Sequence, residues 1–162
     1  MFKLRHFLIC TTLAIVLPLG PVSAQGLAFG NSRATSDQPV QVEADSLSVN
    51  QKDGTATFTG NVQISQGEML LNAPRVLVVY AEDSQKITRL QASGGVTLVN
   101  GPDAAEAQSA DYNIDAGTVL LTGQVLVTQG QNVMSGDKVT INLDQGTAQV
   151  GGRVRTTLET KE

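Results

Sequence analysis

The chain has one cysteine, one histidine and no tryptophan in 162 residues. Cys10 and His6 both lie in the first 24 residues, a segment that carries the marks of removal. Beyond it the chain has neither. That excludes Ser-His-Asp and Cys-His nucleophilic catalysis, and it excludes metal sites built on imidazole or thiolate. It also excludes a disulfide. With four Phe and two Tyr, the interior must be made mainly of Val, Leu, Ile and Ala. Basic clusters are absent as well, and a chain that neutralises no phosphate run is not built for nucleic acid.

Lys3, Arg5 and His6 form a basic start, followed by an apolar run from Phe7 to Leu17. Pro18, Gly20 and Pro21 break it ahead of Val22-Ser23-Ala24, a small-residue cleavage site. This is the layout of a secretory signal peptide, residues 1–24. The run is about half of the roughly 20 residues that a membrane-spanning helix needs. Cleavage leaves 162 − 24 = 138 residues. The 11 Lys and Arg lose Lys3 and Arg5, so the net charge becomes 9 − 15 = −6. One domain is the natural count for this length, and it is long enough to fold without a staple.

Residues 25–37 show no periodicity and read as a flexible leader. From Gln38 onward, short runs of Val, Thr, Leu and Ile alternate with polar residues. They are punctuated by Asp53-Gly54, Gln66-Gly67, Asn100-Gly101-Pro102, Asp115-Ala116-Gly117, Gln129-Gly130 and Gln145-Gly146. Turn signals at this interval, with period-2 alternation, specify an all-β domain. Ala104–Ala110 has some helix propensity, but Gly101-Pro102 before it favours a loop or the start of a strand.

One phrase recurs: Thr59-Gly60-Asn61-Val62-Gln63-Ile64, then Ser93-Gly94-Gly95-Val96, Thr122-Gly123-Gln124-Val125 and Gly151-Gly152-Arg153-Val154. The glycines at 60, 94, 123 and 152 mark stacked supersecondary units. A second phrase, a small residue and then usually Asp, interleaves with it at Ala44-Asp45, Ala73-Pro74, Ala110-Asp111 and Gly136-Asp137. We expect these Asp and Pro positions to form turns. Each repeat is then two strands, and each glycine falls mid-strand on the apolar face. A glycine there signals a bend, a bulge or close approach to the backbone. The acids are scattered at turns, so a paired-carboxylate hydrolase would need two of them buried together. No metal or cofactor site is expected. The apolar face must pack on something. The residues alone leave open whether two sheets close into a plain core or leave a slot for alkyl chains, whose burial is worth about 0.8 kcal/mol per methylene.

The opening Ala44-Asp45-Ser46-Leu47, the hairpin from Asp53 to Val62 and the return Leu71-Asn72-Ala73-Pro74-Arg75-Val76 resemble the OstA-like (LptA) family of lipopolysaccharide-transport domains. The resemblance covers residues 38–158, leaving 159–162 as a tail. It implies an antiparallel β-jelly-roll of short repeated strands in two splayed sheets. It implies a non-catalytic periplasmic carrier that holds lipopolysaccharide by its lipid A acyl chains in an apolar groove. Such a carrier bridges inner- and outer-membrane transport proteins through its edge strands and joins copies head to tail. A structural envelope scaffold without lipid cargo is the alternative.

The expected groove lining is Phe58, Gly60, Val62, Ile64, Val76, Val78, Leu98, Leu121, Gly123, Val125, Val127, Val139 and Ile141. Gly60 and its copies would keep the inner wall clear of side chains. Val40 and Val42 on the first strand (about 40–44) and Val150 and Val154 on the last (about 150–158) would contact partners, as unpaired edges template strand addition. Arg75, Arg89 and Lys138 are candidate phosphate contacts.

Overall fold

The computed structural model describes residues 27–29, 38–84 and 86–157. The signal peptide, most of the expected leader, Leu158 and the tail lie outside them. Every regular element described is a strand: β1 (Leu27–Ala28), β2 (Gln41–Glu43), β3 (Ser46–Asn50), β4 (Thr55–Gln66), β5 (Met69–Tyr80), β6 (Ile87–Asn100), β7 (Asp103–Asn113), β8 (Thr118–Gln129), β9 (Asn132–Asn142), β10 (Thr147–Gly151) and β11 (Arg155–Thr157). All pairings are antiparallel, in the order β1-β10-β9-β8-β7-β6-β5-β4-β2, with β3 also on β4 and β11 also on β9. From β4 to β10 the chain is an up-and-down meander, in which each strand pairs with the next. The Ala104–Ala110 segment is the middle of β7.

The long strands differ from the short ones expected, and the glycine phrase explains why. In each pairing from β4–β5 to β8–β9 the register slips in mid-strand: between Thr59 and Val62, Asn72 and Arg75, Ser93 and Val96, Glu106 and Ser109, Thr122 and Val125. At three of the slips two residues of an even strand (Gly60-Asn61, Gly94-Gly95 or Gly123-Gln124) oppose a single residue of an odd one, and at the other two, three residues oppose two. That is a β-bulge, which bends a strand without ending it. The bulges line up across the sheet as a crease. What was expected as two sheets is one hydrogen-bonded sheet folded along that crease, with half A carrying residues 62–73, 96–107 and 125–136 and half B the remainder of the long strands. The terminal elements follow the same line. β2 and β3 are one strand interrupted at Ala44-Asp45, pairing with the two halves of β4, and β10 and β11 are one strand interrupted at Gly152.

Both bulge residues sit in left-handed backbone: Gly60 at φ 80° with Asn61 at 46°, Gly123 at 85° with Gln124 at 48°. The second position is Asn, Gly or Gln in the three complete bulges, a site where a β-branched residue would be strained. The glycine is required twice over. A Cβ on Gly60 would lie 2.8 Å from Asp45 Cβ, and one on Gly123 would lie 2.7 Å from Gln108 Cβ. Asp45 and Gln108 are exposed. The glycines therefore admit a neighbour at the crease, and the expectation that they clear an inner wall of side chains is not how the backbone uses them. Asp45 braces its bulge directly: its N–H donates to Gly60 O (2.9 Å) and its Oδ2 accepts from Asn61 Nδ2 (2.8 Å).

These contacts realign the second phrase. The residues facing the glycines are Asp45, Pro74, Gln108 and Asp137, so the third copy begins at Ala107-Gln108 and not at Ala110-Asp111. With that correction each glycine follows its partner by 15 residues, except Gly94, which follows Pro74 by 20. The extra length is taken up by the β5–β6 connection and a further irregularity between Val79 and Tyr80. The copies at a 63-residue offset agree in detail: Ser46–Thr59 and Ser109–Thr122 each place their hydroxyls 2.7 Å apart beside the crease.

Candidate functional site

The inner surface is a grid of lateral rows. In half B, Phe58, Val76, Ala92, Ala110, Leu121, Val139 and Val150 are mutually in register beside the crease. Ala56, Val78, Leu90, Tyr112, Val119, Ile141 and Ala148 form the next row out. In half A, Val62 and Ala73 stand beside the crease, and Ile64, Leu71, Leu98, Ala105, Val127 and Met134 form the row beyond. Small residues cluster where the halves converge. At Gly136 there is no room for more: a Cβ there would lie 2.7 Å from Val150 Cγ1.

Of the expected lining residues, Val62, Ile64, Val76, Val78, Leu98, Leu121, Val125, Val127, Val139 and Ile141 are all buried and belong to one hydrophobic cluster, with Phe58 half-buried against it. Gly60 and Gly123 stand at the crease. Sequence alternation therefore located the inner face, and the structure brings these residues together. Tyr112 and Phe29 are buried with them and were not expected there. Phe29 lay inside the presumed leader, where Leu27–Ala28 instead pair with β10 and Phe29 N donates to Gly146 O.

At the β3 end the half-B rows do not stop at buried residues. Leu47 pairs with Phe58 and Val49 with Ala56, so both side chains continue the half-B rows onto β3. They are 55% and 60% exposed. The alternation Ser46-Leu47-Ser48-Val49 carried this signal in the sequence. On the same end, Val40 and Val42 are half-buried, and β2 and β3 are each paired to β4. At the other end Val150 is half-buried and Val154, between β10 and β11, is 48% exposed.

Far from the crease, the two lips of the folded sheet differ. The last inner residues of half A are Gln66, Asn100 and Asp103, all buried, with Gln129 beside Asp103. Half B brings Tyr80, Ile87, Ile114 and Leu143 to its lip. Hydrogen bonds tie the lip of half A to the opposite side of the fold: Tyr112 Oη donates to Gln66 Oε1 at 2.8 Å, and Gln129 Nε2 donates to Ala28 O at 2.7 Å. Burial pushes the Tyr112 hydroxyl up to about 12, with the Asp144 charge adding to it and the Gln66 bond opposing it.

The Arg89–Asp111 pair lies on the outer face, since Leu90, Ala110 and Tyr112 beside it point inward. Arg89 Nε donates to Asp111 Oδ1 at 2.6 Å, and this bond holds the Asp111 carboxyl below the usual range. Arg89, one of the three candidate phosphate contacts, is thus engaged. Arg75 lines an outer hollow of about 390 Å³ with Gln91, Asp111 and Leu120, and Lys138 is exposed. None of the three belongs to the inner rows. Among the described residues Asp103 is the one buried carboxylate, so the close pair that a carboxylate hydrolase needs is not formed there. Nor do the described residues contain a group of three or more His, Cys, Asp or Glu that could hold a metal ion.

Residues 41–147 match the family model described as LptA/(LptD N-terminal domain) LPS transport protein. An uncharacterized protein of Rhizobium meliloti is 34% identical over 117 residues, 67% of this chain and 60% of the relative. The lipopolysaccharide export system protein LptA of Escherichia coli K12 is 30% identical over 124 residues, 73% of this chain and 66% of that protein. The chain thus spans about two thirds or less of the length of the curated relatives it matches. The crystal structure of LptH, the LptA-homologous periplasmic component of the lipopolysaccharide transport device of Pseudomonas aeruginosa, superposes with a TM-score of 0.71 at 20% identity, over 78% of this chain and 99% of that one. By sequence and by fold, the chain belongs to the LptA/LptD N-terminal-domain family of lipopolysaccharide transport proteins.

Proposed function

We propose that this chain is a non-catalytic periplasmic carrier, which holds lipopolysaccharide by its acyl chains between the two halves of the folded sheet and passes it between membrane-bound transport partners. One observation carries the reading. The apolar inner rows run without a break from the buried interior out to exposed Leu47 and Val49 at the end of the sheet. A plain core would close at its ends. An inner surface that reaches solvent at an unpaired edge suits continuation into a second molecule, since edge strands accept added strands. Leu47 and Val49 join Val40, Val42, Val150 and Val154 as the residues through which copies meet head to tail and through which inner- and outer-membrane partners dock.

Acyl chains suit the interior because their burial needs no directional partner. The inner side chains are already buried, so loading separates the halves, beginning at the lip, where the Tyr112–Gln66 bond is the first contact to break. Spin labels at Glu106 and Leu120, exposed on the outer faces of halves A and B, test this. Lipopolysaccharide should lengthen their separation by several ångströms. An unchanged distance with bound lipid would place the cargo elsewhere.

A further inference from the structure

The inner residues nearest the lip of half A form one lateral row in register across six strands: Gln66, Met69, Asn100, Asp103, Gln129 and Asn132. At about 4.8 Å per strand the row is roughly 24 Å long. It lies immediately outside the apolar row that contains Ile64 and Val127, and five of its six members are polar. Gln66, Asn100 and Asp103 are 2%, 0% and 3% exposed. Three members are carboxamides at equivalent positions, each ending an even strand just before a turn glycine: Gln66-Gly67, Asn100-Gly101 and Gln129-Gly130.

Turn formation does not account for burying these side chains, because a turn needs the glycine and not an inward amide. Asn100 is decisive. Both polar atoms of its side chain are buried, and among the described residues neither has a hydrogen-bond partner. Leaving such a group unpaired costs more than replacing it with an apolar residue of similar size. Its neighbours are paired: Gln66 with Tyr112 and Gln38 O, Gln129 with Asp103 and Ala28 O.

We infer that this row is a binding site for the uncharged junction of an amphiphile, the stretch of hydroxyls and amides that joins acyl chains to a polar head. The inference rests on the carrier reading above, which sets the acyl chains in the apolar rows directly beneath. Carboxamides donate and accept, which matches hydroxyl and amide groups. The row contains Asp103 and no Lys or Arg, so it repels a phosphate and accepts from a hydroxyl or an amide N–H. Asn100 supplies both a donor and an acceptor that no described residue engages.

Calorimetry on the full chain tests this with two probes of equal chain length, dodecyl maltoside and dodecyl phosphate, each below its micelle concentration. The maltoside should bind at least tenfold more tightly. Asn100→Leu should weaken maltoside binding about five- to tenfold, leave the phosphate unchanged and melt no lower than the parent. Asp103→Asn should strengthen phosphate binding and so narrow the gap between the two probes. Equal binding of the two probes, or an Asn100→Leu variant that melts lower and binds maltoside normally, would overturn the junction site while leaving the carrier reading intact. If the parent chain binds neither probe, both fall together.

Discussion

Tyr112 Oη donates to Gln66 Oε1 at 2.8 Å, although the two residues lie in different halves of the sheet with two strands between theirs. No path within the sheet surface brings them together. The bond exists because the sheet folds back on itself along the bulges, and it closes the lip farthest from the crease.

Tyr112→Phe keeps the ring and removes that donor, leaving the buried Gln66 oxygen without it. The expected cost is about 1–2 kcal/mol, read from urea denaturation at neutral pH. The same group gives a pH signature. Its pKa rises from 10.0 unfolded to about 12 folded, so the folded state keeps a proton that the unfolded state releases. That stabilisation is complete below pH 10 and is lost as pH rises toward 12, by about 2–3 kcal/mol in total. The Phe variant should lack this component of the alkaline decline.

The crease glycines separate backbone conformation from space. Gly60→Ala and Gly123→Ala meet both a positive φ and the side chain of Asp45 or Gln108. Gly130→Ala meets a φ of +59° with nothing within 4 Å of the new Cβ. The turn variant should lose about 1 kcal/mol, and each crease variant about 1–3 kcal/mol more. Thermal melts of all three check the order. Equal losses would show that the crease contacts contribute nothing.

Asp111 titrates below the usual carboxylate range because of its bond to Arg89. A depressed pKa adds stability above the unfolded value of 3.8, and that stability disappears as pH falls through the folded value. Arg89→Gln should therefore flatten the acid limb of a stability–pH curve. The pair is on the outer face, so lipid binding should be unaffected.

Leu47→Asp with Val49→Asp changes residues that are more than half exposed, so folding stability should move by no more than about 0.5 kcal/mol. Sedimentation velocity should nonetheless show weaker end-to-end association than in the parent chain. Unchanged association would assign the contact to other edges.

Much of this was legible in the sequence because period-2 alternation reports which face is buried. Val62, Ile64, Val125 and Val127 were placed on the inner face from pattern alone. The crease was half legible. The glycine phrase marked a mid-strand irregularity, but its purpose depends on Asp45 and Gln108, which come from another strand. Alignment by the Asp sent the third copy to Asp111, because the facing residue there is Gln108, of another type. The lip row was hidden for a different reason: Gln66, Asn100 and Gln129 precede turn glycines and read as turn punctuation. Their inward direction follows from strands that continue two residues past the last inward aliphatic position. Phe29 was out of reach, since its pairing partner lies more than a hundred residues away.

The proposed position of the acyl chains, between the two halves of the sheet, can be probed residue by residue. Photo-crosslinking decides it most directly, with a photoreactive residue placed in turn at inward Val62 and Val125 and at outward Thr57 and Gln63. Lipopolysaccharide adducts are expected from Val62 and Val125 and none from Thr57 or Gln63. Adducts from the outward pair alone would contradict it.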